Sequence, residues 1–276
     1  RIDNNNMTTE AQGTVPGQEL NQFSMDEYDN YFRIATTTWT MNGTVQNNLY
    51  VLNMNLNVTG SLENIAPEET IDSARFIENR CYLSTSVARR DPFFVIDVEN
   101  PSDPKILGYL KIPGFNRYLH PYDENHLIGV GRGEDNNVKI SLFEVSNVTA
   151  PTEIGKYAVE DIWSDSLVLT DHKAFLFDKA KDLLVIPISS YYSGEYDHKV
   201  SQAAYVFNVT LTQGFELRGR ITHQGTDIEG GDNRYWVTRA FYIEDVLYTI
   251  SDSKIKMNSL SDLSEIGELS LKEGSK

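Results

Sequence analysis

Asp227, Glu229 and Asp232 lie within one short run, Asp227-Ile228-Glu229-Gly230-Gly231-Asp232-Asn233. Three carboxylates and an amide around two glycines place hard oxygen donors on a pliable loop, which is calcium chemistry. The run lacks the EF-hand spacing, so a solvated acidic loop is the competing expectation. A second chemistry-bearing run is aromatic. Tyr191, Tyr192 and Tyr196 crowd the stretch from Ser189 to Gln202, and Trp163 and Trp236 lie elsewhere. Tyrosines give rigid contact area with an apolar body and a polar tip, suited to holding a protein or a sugar. The plainer role for Tyr191 and Tyr192 is to cover a sheet edge.

The five histidines are His120, His126, His172, His198 and His223. His120 and His126 flank a turn with Asp123 and Glu124 at its tip, a donor set that would suit zinc. No HExxH run or Cys/His pair accompanies them. His120 and His172 are expected instead to be polar anchors whose ring nitrogens tie neighbouring sheets together. Nucleophilic catalysis finds little support. There is no GxSxG run, and the single cysteine, Cys81, sits in the strand-like Cys81-Tyr82-Leu83, the setting of a buried inert thiol. Asp171-His172 is the best acid–base doublet, but neighbours on a strand point to opposite faces. Gly129-Val130-Gly131-Arg132-Gly133 is followed by two acids and a strand rather than a helix. It reads as a flexible turn, not a phosphate loop. With 40 Asp+Glu in the chain, no spacing singles out a carboxylate pair for glycoside hydrolysis.

These groups are carried by a repeat. Val51-Leu52-Asn53-Met54, Val95-Ile96-Asp97-Val98, Leu142-Phe143-Glu144-Val145 and Val206-Phe207-Asn208-Val209 share one pattern: two apolar residues, a polar one, another apolar one. Asn64, Gly108, Gly155 and Gly219 each follow the polar position by eleven residues. A weaker fifth copy runs from Lys256-Met257-Asn258 to Gly267. The steps between polar positions are 44, 47, 64 and 50 residues, and the longest holds the Ser189 to Gln202 insertion.

Hairpin patterns lie between the copies. Arg75-Phe76-Ile77-Glu78-Asn79 precedes Tyr82-Leu83-Ser84, and Phe241-Tyr242-Ile243-Glu244-Asp245 precedes Tyr248-Thr249-Ile250. Tyr118-Leu119-His120 precedes His126-Leu127-Ile128, and Ala174-Phe175-Leu176-Phe177 precedes Leu183-Leu184-Val185-Ile186. Two hairpins per period of about 45 residues make four strands, the blade of a β-propeller. The expected fold is all-β: a β-propeller with five four-stranded blade repeats, closed as a ring of five or part of a larger ring. Residues 24–276 form the propeller domain, and residues 1–23 an arm or the remnant of an upstream blade. Apolar runs such as Phe93-Phe94-Val95-Ile96 suit strands covered on both faces. Ser24-Met25-Asp26-Glu27-Tyr28, a serine cap followed by acids, is the one place given a helical turn.

The 276 residues carry 24 Lys+Arg against 40 Asp+Glu, a net charge of −16. That balance repels phosphate backbones and disfavours nucleic-acid binding. No apolar run approaches the roughly 18 residues that span a bilayer, so no membrane span is expected. Asn-x-Ser/Thr acceptors at Asn6, Asn42, Asn57, Asn147 and Asn208 are a mild hint of export. The chain opens at Arg1 without a signal peptide, so a piece of a longer protein is expected.

A resemblance adds to this reading. It rests on Gly17 to Tyr28 with Phe32-Arg33-Ile34-Ala35-Thr36-Thr37, and on Phe94-Val95-Ile96-Asp97-Val98 with Pro101 and Pro104-Lys105-Ile106-Leu107-Gly108. Tyr118-Leu119-His120-Pro121 and Asp171-His172-Lys173-Ala174-Phe175-Leu176-Phe177 complete it. Together these resemble the secreted β-propeller domain family of bacteria and archaea, distantly related to WD-40 repeats. The resemblance implies an exported or surface-anchored propeller with no assigned activity, in domains longer than this chain. The functional expectation is an extracellular or cell-surface, non-catalytic platform for a protein or glycan partner, with no cofactor unless calcium. The alternative is a glycosidase-like hydrolase with a carboxylate site in the central channel.

Overall fold

The computed structural model describes residues 2–3, 6–86, 90–193, 198–225 and 232–271. A short pair opens the chain, β1 (Ile2–Asp3) with β2 (Asn6–Met7). Five antiparallel sheets follow, each built from strands consecutive in the sequence. The first holds β3 (Met25–Tyr28), β4 (Tyr31–Trp39), β5 (Val45–Asn53) and β6 (Val58–Ile65). The second holds β7 (Thr70–Ile77), β8 (Arg80–Ser86), β9 (Arg90–Asp97) and β10 (Lys105–Pro113). The third holds β11 (Phe115–Asp123), β12 (His126–Arg132), β13 (Val138–Glu144) and β14 (Thr152–Ala158). In the fourth, β15 (Trp163–Ser166) and β16 (Leu176–Asp178) both pair with β17 (Leu183–Ser193). That sheet continues through β18 (His198–Thr210) to β19 (Gly214–Ile221). The fifth holds β20 (Arg239–Ile243), β21 (Val246–Ile250), β22 (Lys254–Ser259) and β23 (Glu265–Ser270). These are the five four-stranded blades that the repeat predicts, and the weak fifth copy forms a complete sheet.

The chain divides into two compact units, residues 1–129 with 143–153, and residues 130–142 with 154–276. In the first unit, Cys81, Leu83, Phe94 and Ile96 of the second sheet pack with Ala35, Leu49 and Val51 of the first. The alternate residues Tyr82, Phe93 and Val95 pack the other way, with Leu119, Leu127 and Phe143 of the third. Phe93 and Phe143 stack with ring centroids 4.8 Å apart. A strand that feeds two cores must be apolar at every position, which explains the unbroken runs. In the second unit, Leu183, Val185, Ala204 and Val206 of the fourth sheet meet Val237, Leu247 and Leu260. Third strands such as β13 are buried nearly throughout, whereas the outermost β14 alternates between exposed and half-buried positions.

The repeat's polar residue and its glycine both have local work. Asn53 Oδ1 accepts from the N–H groups of Asn55 and Asn57 at 3.0 and 3.1 Å, and Asp97 Oδ1 from Glu99 N at 3.1 Å. Both close the turn into the outermost strand. Gly60, Gly108, Gly219 and Gly267 sit on outermost strands opposite Val51, Val95, Val206 and Met257, each beside a register shift. At Gly60 and Gly108 the backbone of the next sheet comes close, whereas Gly219 faces the Leu263 side chain. A Cβ on Gly60 would lie 2.4 Å from Pro101 O, and one on Gly108 2.5 Å from Val148 O. The first copy's glycine is therefore Gly60, not the expected Asn64 position, because the turn before β6 is shorter.

Three local expectations are corrected. Residues 24–28 do not form a helical turn: Asn21 caps a 3-10 turn at Gln22–Ser24, and Met25–Tyr28 is a strand. Asp29 and Asn30, both with positive φ, make the tight turn that folds β3 onto β4. Gly129, Val130 and Gly131 lie inside β12 rather than in a flexible turn. The Asn116 side chain fills the space beside Gly129, its Oδ1 2.4 Å from where a Cβ would stand. Asp171-His172 is not strand: Asp171 caps a 3-10 turn at His172–Ala174.

Candidate functional site

The fourth sheet is the one with the insertion, and its extra length shows as a long ladder. β17 and β18 pair from Leu183↔Asn208 to Ser193↔His198. Near the far end β15 joins β17, with Trp163↔Tyr191, Ser164↔Ser190 and Asp165↔Ser189 in register. Alternation puts Trp163, Asp165, Ser189 and Tyr191 on one face and Ser164 on the other. Ser164 Oγ duly donates to Asn137 Oδ1 at 3.1 Å and accepts from Val138 N at 2.8 Å. Trp163 is 40% exposed, and Ile162 before it is 64% exposed. The result is a two-ring aromatic surface on a short ladder, which a sequence reading of Tyr191 alone does not reveal.

Beside these residues lies a cavity of about 330 Å³, lined by Asp165, Pro187 and Ser189 from the fourth sheet, by Leu167 of the 3-10 turn that follows β15, and by Asn233, Trp236, Thr238 and Asp252. Its walls are braced separately. Arg132 grips the β15 end, with Nη2 2.6 Å from Asp165 Oδ1 and Nη1 donating to Ser164 O at 2.9 Å and Asn136 O at 2.8 Å. Gln202 clamps Val237 in both senses: Nε2 donates to its carbonyl at 2.9 Å, and Oε1 accepts from its N–H at 2.7 Å. Asp232 caps the 3-10 turn Asn233–Tyr235, which presents Asn233 and Trp236. Trp236 Nε1 is buried and has no acceptor among the described residues.

Other residues singled out from the sequence fall as follows. Tyr191 is half-buried in β17, and Tyr192 continues the strand opposite Lys199. Tyr196, Asp227 and Glu229 lie outside the described residues. Asp232 forks onto Arg234, with Nη2–Oδ2 at 2.7 Å and Nε–Oδ1 at 3.0 Å, and that bond holds its carboxyl below the usual range. Among the described residues no three His, Cys, Asp or Glu side chains stand close enough to hold a metal ion. His172 opens the 3-10 turn capped by Asp171, whose carboxylate pairs with Arg239. His126 Nδ1 lies 2.7 Å from Asp123 Oδ1 and His120 Nδ1 2.9 Å from Tyr118 OH, so the two rings have different partners. Cys81 is fully buried, and burial pushes its thiol well above the usual range, as an inert thiol requires.

Two residues that matter escaped the sequence reading. His223, 1% exposed, bonds Ser251 Oγ through Nδ1 and Thr249 Oγ1 through Nε2, both at 2.8 Å. It ties the segment after β19 to the fifth sheet, and its neighbours Thr222 and Gln224 resemble ordinary surface sequence. Asp72 of β7, 4% exposed, accepts from Ser86 Oγ, and its Oδ1 lies 3.4 Å from Arg117 Nη1. Burial holds the Asp72 carboxyl above the usual range; Ser86 and Arg117 oppose that, and Glu69 adds to it. One acid among 40 carries no mark of burial in the sequence.

The histidines give the fold a pH dependence. Burial, with Arg75 assisting, lowers His120 to about 4, and burial, with Lys256 and Lys254, lowers His223 to about 4. Between about 6.5 and 4 the unfolded chain binds protons that the folded chain refuses, so stability falls as the pH falls through that window. His223 alone accounts for on the order of 3 kcal/mol. Asp72 works in the opposite sense, since a raised carboxyl stabilises at low pH and loses that contribution as pH rises through its folded value. The urea midpoint is expected to drop on acidification from pH 7 to 4.5, and less so in His223→Gln. A midpoint constant over that range would contradict the buried neutral imidazoles.

Five consecutive antiparallel sheets packed through shared cores define a protein built of propeller blades. Residues 1–263 match the family described as Beta propeller domain, and the chain belongs to that family. It is 37% identical over 266 residues to an uncharacterized protein of Archaeoglobus fulgidus, across 96% of this chain and 37% of that protein. It is also 37% identical over 245 residues to an uncharacterized protein of Methanocaldococcus jannaschii, across 88% of this chain and 35% of that protein. The chain thus spans about a third of the length of these curated relatives. Among the described residues no helix is long and apolar enough to cross a membrane.

Proposed function

We propose that this propeller is an exported or cell-surface platform that binds a protein or glycan partner without catalysis, through the Trp163–Tyr191 face of the fourth sheet. The observation that carries the reading is the in-register pairing of those two aromatic residues next to a cavity on the same sheet. Aromatic rings held by a ladder lose little entropy when they take up a partner. Export is supported by the exposed glycosylation acceptors Asn42, Asn57 and Asn147. Retention of purified protein on isolated cell-envelope material tests the reading, with a Trp163→Ala/Tyr191→Ala double variant as the control that should fail.

A second reading is a hydrolase, and one observation favours it. Asp72 has its carboxyl held above the usual range next to Arg117, the property of a general acid. Release of reducing ends from envelope polysaccharide, abolished in Asp72→Asn, would replace the platform reading. No release is expected.

The platform needs no resident cofactor in this proposal. A calcium ion at Asp227, Glu229 and Asp232 would have to compete with Arg234 for the Asp232 carboxylate. Adding EDTA is expected to leave the melting temperature unchanged. A fall of about 4 °C or more, reversed by calcium, would establish the ion instead.

A further inference from the structure

We propose that the face of the fifth sheet turned away from the fourth is a docking surface, and that its occupant is a further four-stranded blade of the same polypeptide, formed by residues that follow Lys276. This surface is separate from Trp163 and Tyr191, which belong to the fourth sheet.

Alternation sorts the side chains of β20–β23. Ala240, Tyr242 and Leu247 pack toward the fourth sheet, with Leu183 and Val185. Their neighbours along each strand therefore point the other way. Register lines these up in rows across the strands: Phe241, Tyr248 and Met257 in one, and Ile250, Ile255 and Leu269 in the next. The Phe241 and Tyr248 rings stack with centroids 5.0 Å apart. All six residues are apolar in body, yet none is fully buried. Phe241 is 39% and Leu269 57% exposed, and the other four are half-buried.

The second sheet shows what covers such a face. Its first hairpin turns at Glu78-Asn79 where the fifth sheet's turns at Glu244-Asp245, so Tyr82 corresponds to Tyr248. Pairing then matches Val95 to Met257 and Phe93 to Ile255. Gly108 opposite Val95 and Gly267 opposite Met257 confirm the match. Tyr82 is 3% exposed and Phe93 and Val95 are 0% exposed, because Leu119, Leu127 and Phe143 of the third sheet close over them. The fifth sheet carries the same class of residue at the same positions, and it needs the same kind of cover. A repeat that ends a stack in solvent carries a polar outer face, which this one does not.

Connectivity names the source of the occupant. The five sheets are each built from consecutive strands, and the second and third, which share a core, follow one another in the chain. The stretch expected on the fifth sheet is therefore the one that comes next. This chain spans about a third of the length of its curated relatives, which leaves them ample residues for further blades of about 45 residues.

The test uses the full natural chain, with the photoreactive residue p-benzoylphenylalanine replacing Phe241 or Met257 in turn. On irradiation each is expected to cross-link within one molecule to residues beyond Lys276, mapped by mass spectrometry of the joined peptides. Positions on two different strands guard against one local distortion. Methionine oxidation by hydrogen peroxide gives a second readout without any substitution. Met257 is expected to be oxidised in the 276-residue chain and protected in the full chain, while the exposed Met41 reacts alike in both.

Four results would each overturn the proposal. One is a cross-link to a second copy, seen as a band of doubled mass. Another is a cross-link to residues 25–65, which would make the first sheet the occupant. The third is Met257 reacting equally in both chains. The last is the lack of any further copy of the repeat after Lys276.

Discussion

Trp163→Ala/Tyr191→Ala is expected to retain no more than about one thirtieth of the wild-type affinity for isolated envelope material. Central aromatic side chains of a binding surface commonly cost about 2 kcal/mol or more on truncation, which is roughly a 30-fold loss. Trp163 is exposed, and Tyr191 is half-buried at the end of a ladder whose backbone pairing survives the change. The double variant should therefore keep its fold, and a near-normal far-UV spectrum beside lost retention marks a surface effect. Retention equal to wild type would remove this face from the function.

Gly108→Val is expected to lower the melting temperature by about 6–12 °C. A Cβ there would stand 2.5 Å from Val148 O and 2.7 Å from the carbonyl carbon of Thr149, backbone atoms that a rotamer change cannot move. Overpacking of this kind costs on the order of 3 kcal/mol, and each kcal/mol is worth about 2–4 °C in a chain of this size. Gly43, where a Cβ meets nothing within 4 Å, supplies the contrast. Its positive φ makes Gly43→Asn the better control, with only a small change expected. A normal melting temperature for Gly108→Val would mean that the glycines do not seat the following sheet.

What was legible in the sequence follows from what repeats. The polar positions at Asn53 and Asp97, the apolar runs through Phe93 to Ile96, and the hairpin turn at Glu78 stood out because they recur from blade to blade; that Asn53 and Asp97 close turns with their side chains is visible only in the structure. The slip from Gly60 to Asn64 came from counting residues where the register is set by pairing, and a shorter turn moved the glycine by four. Asn21, Asp171 and Asp232 were misread or unread for a related reason: each caps a single 3-10 turn, a structure too short to leave a periodic signal.

The candidate site was half legible. Tyr191 stood out by composition, but its partner Trp163 is 28 residues away and is joined to it only through the pairing of β15 with β17. The cavity belongs to no motif at all. Asp165, Trp236 and Asp252 are brought together by the fourth sheet and the lead into the fifth, and none is unusual in its own local sequence. His223 and Asp72 show the same limit, since burial is a property of the packed blades rather than of the residues beside them.

Hydrogen–deuterium exchange on the wild-type protein, with and without solubilised envelope polysaccharide, tests the binding face most directly. Slower exchange is predicted for residues 162–166, 187–191 and 233–238, with residues 69–86 and 115–120 unchanged. Protection confined to residues 69–86 and 115–120, around Asp72 and Arg117, would contradict the platform and move the function to the inner-strand carboxyl.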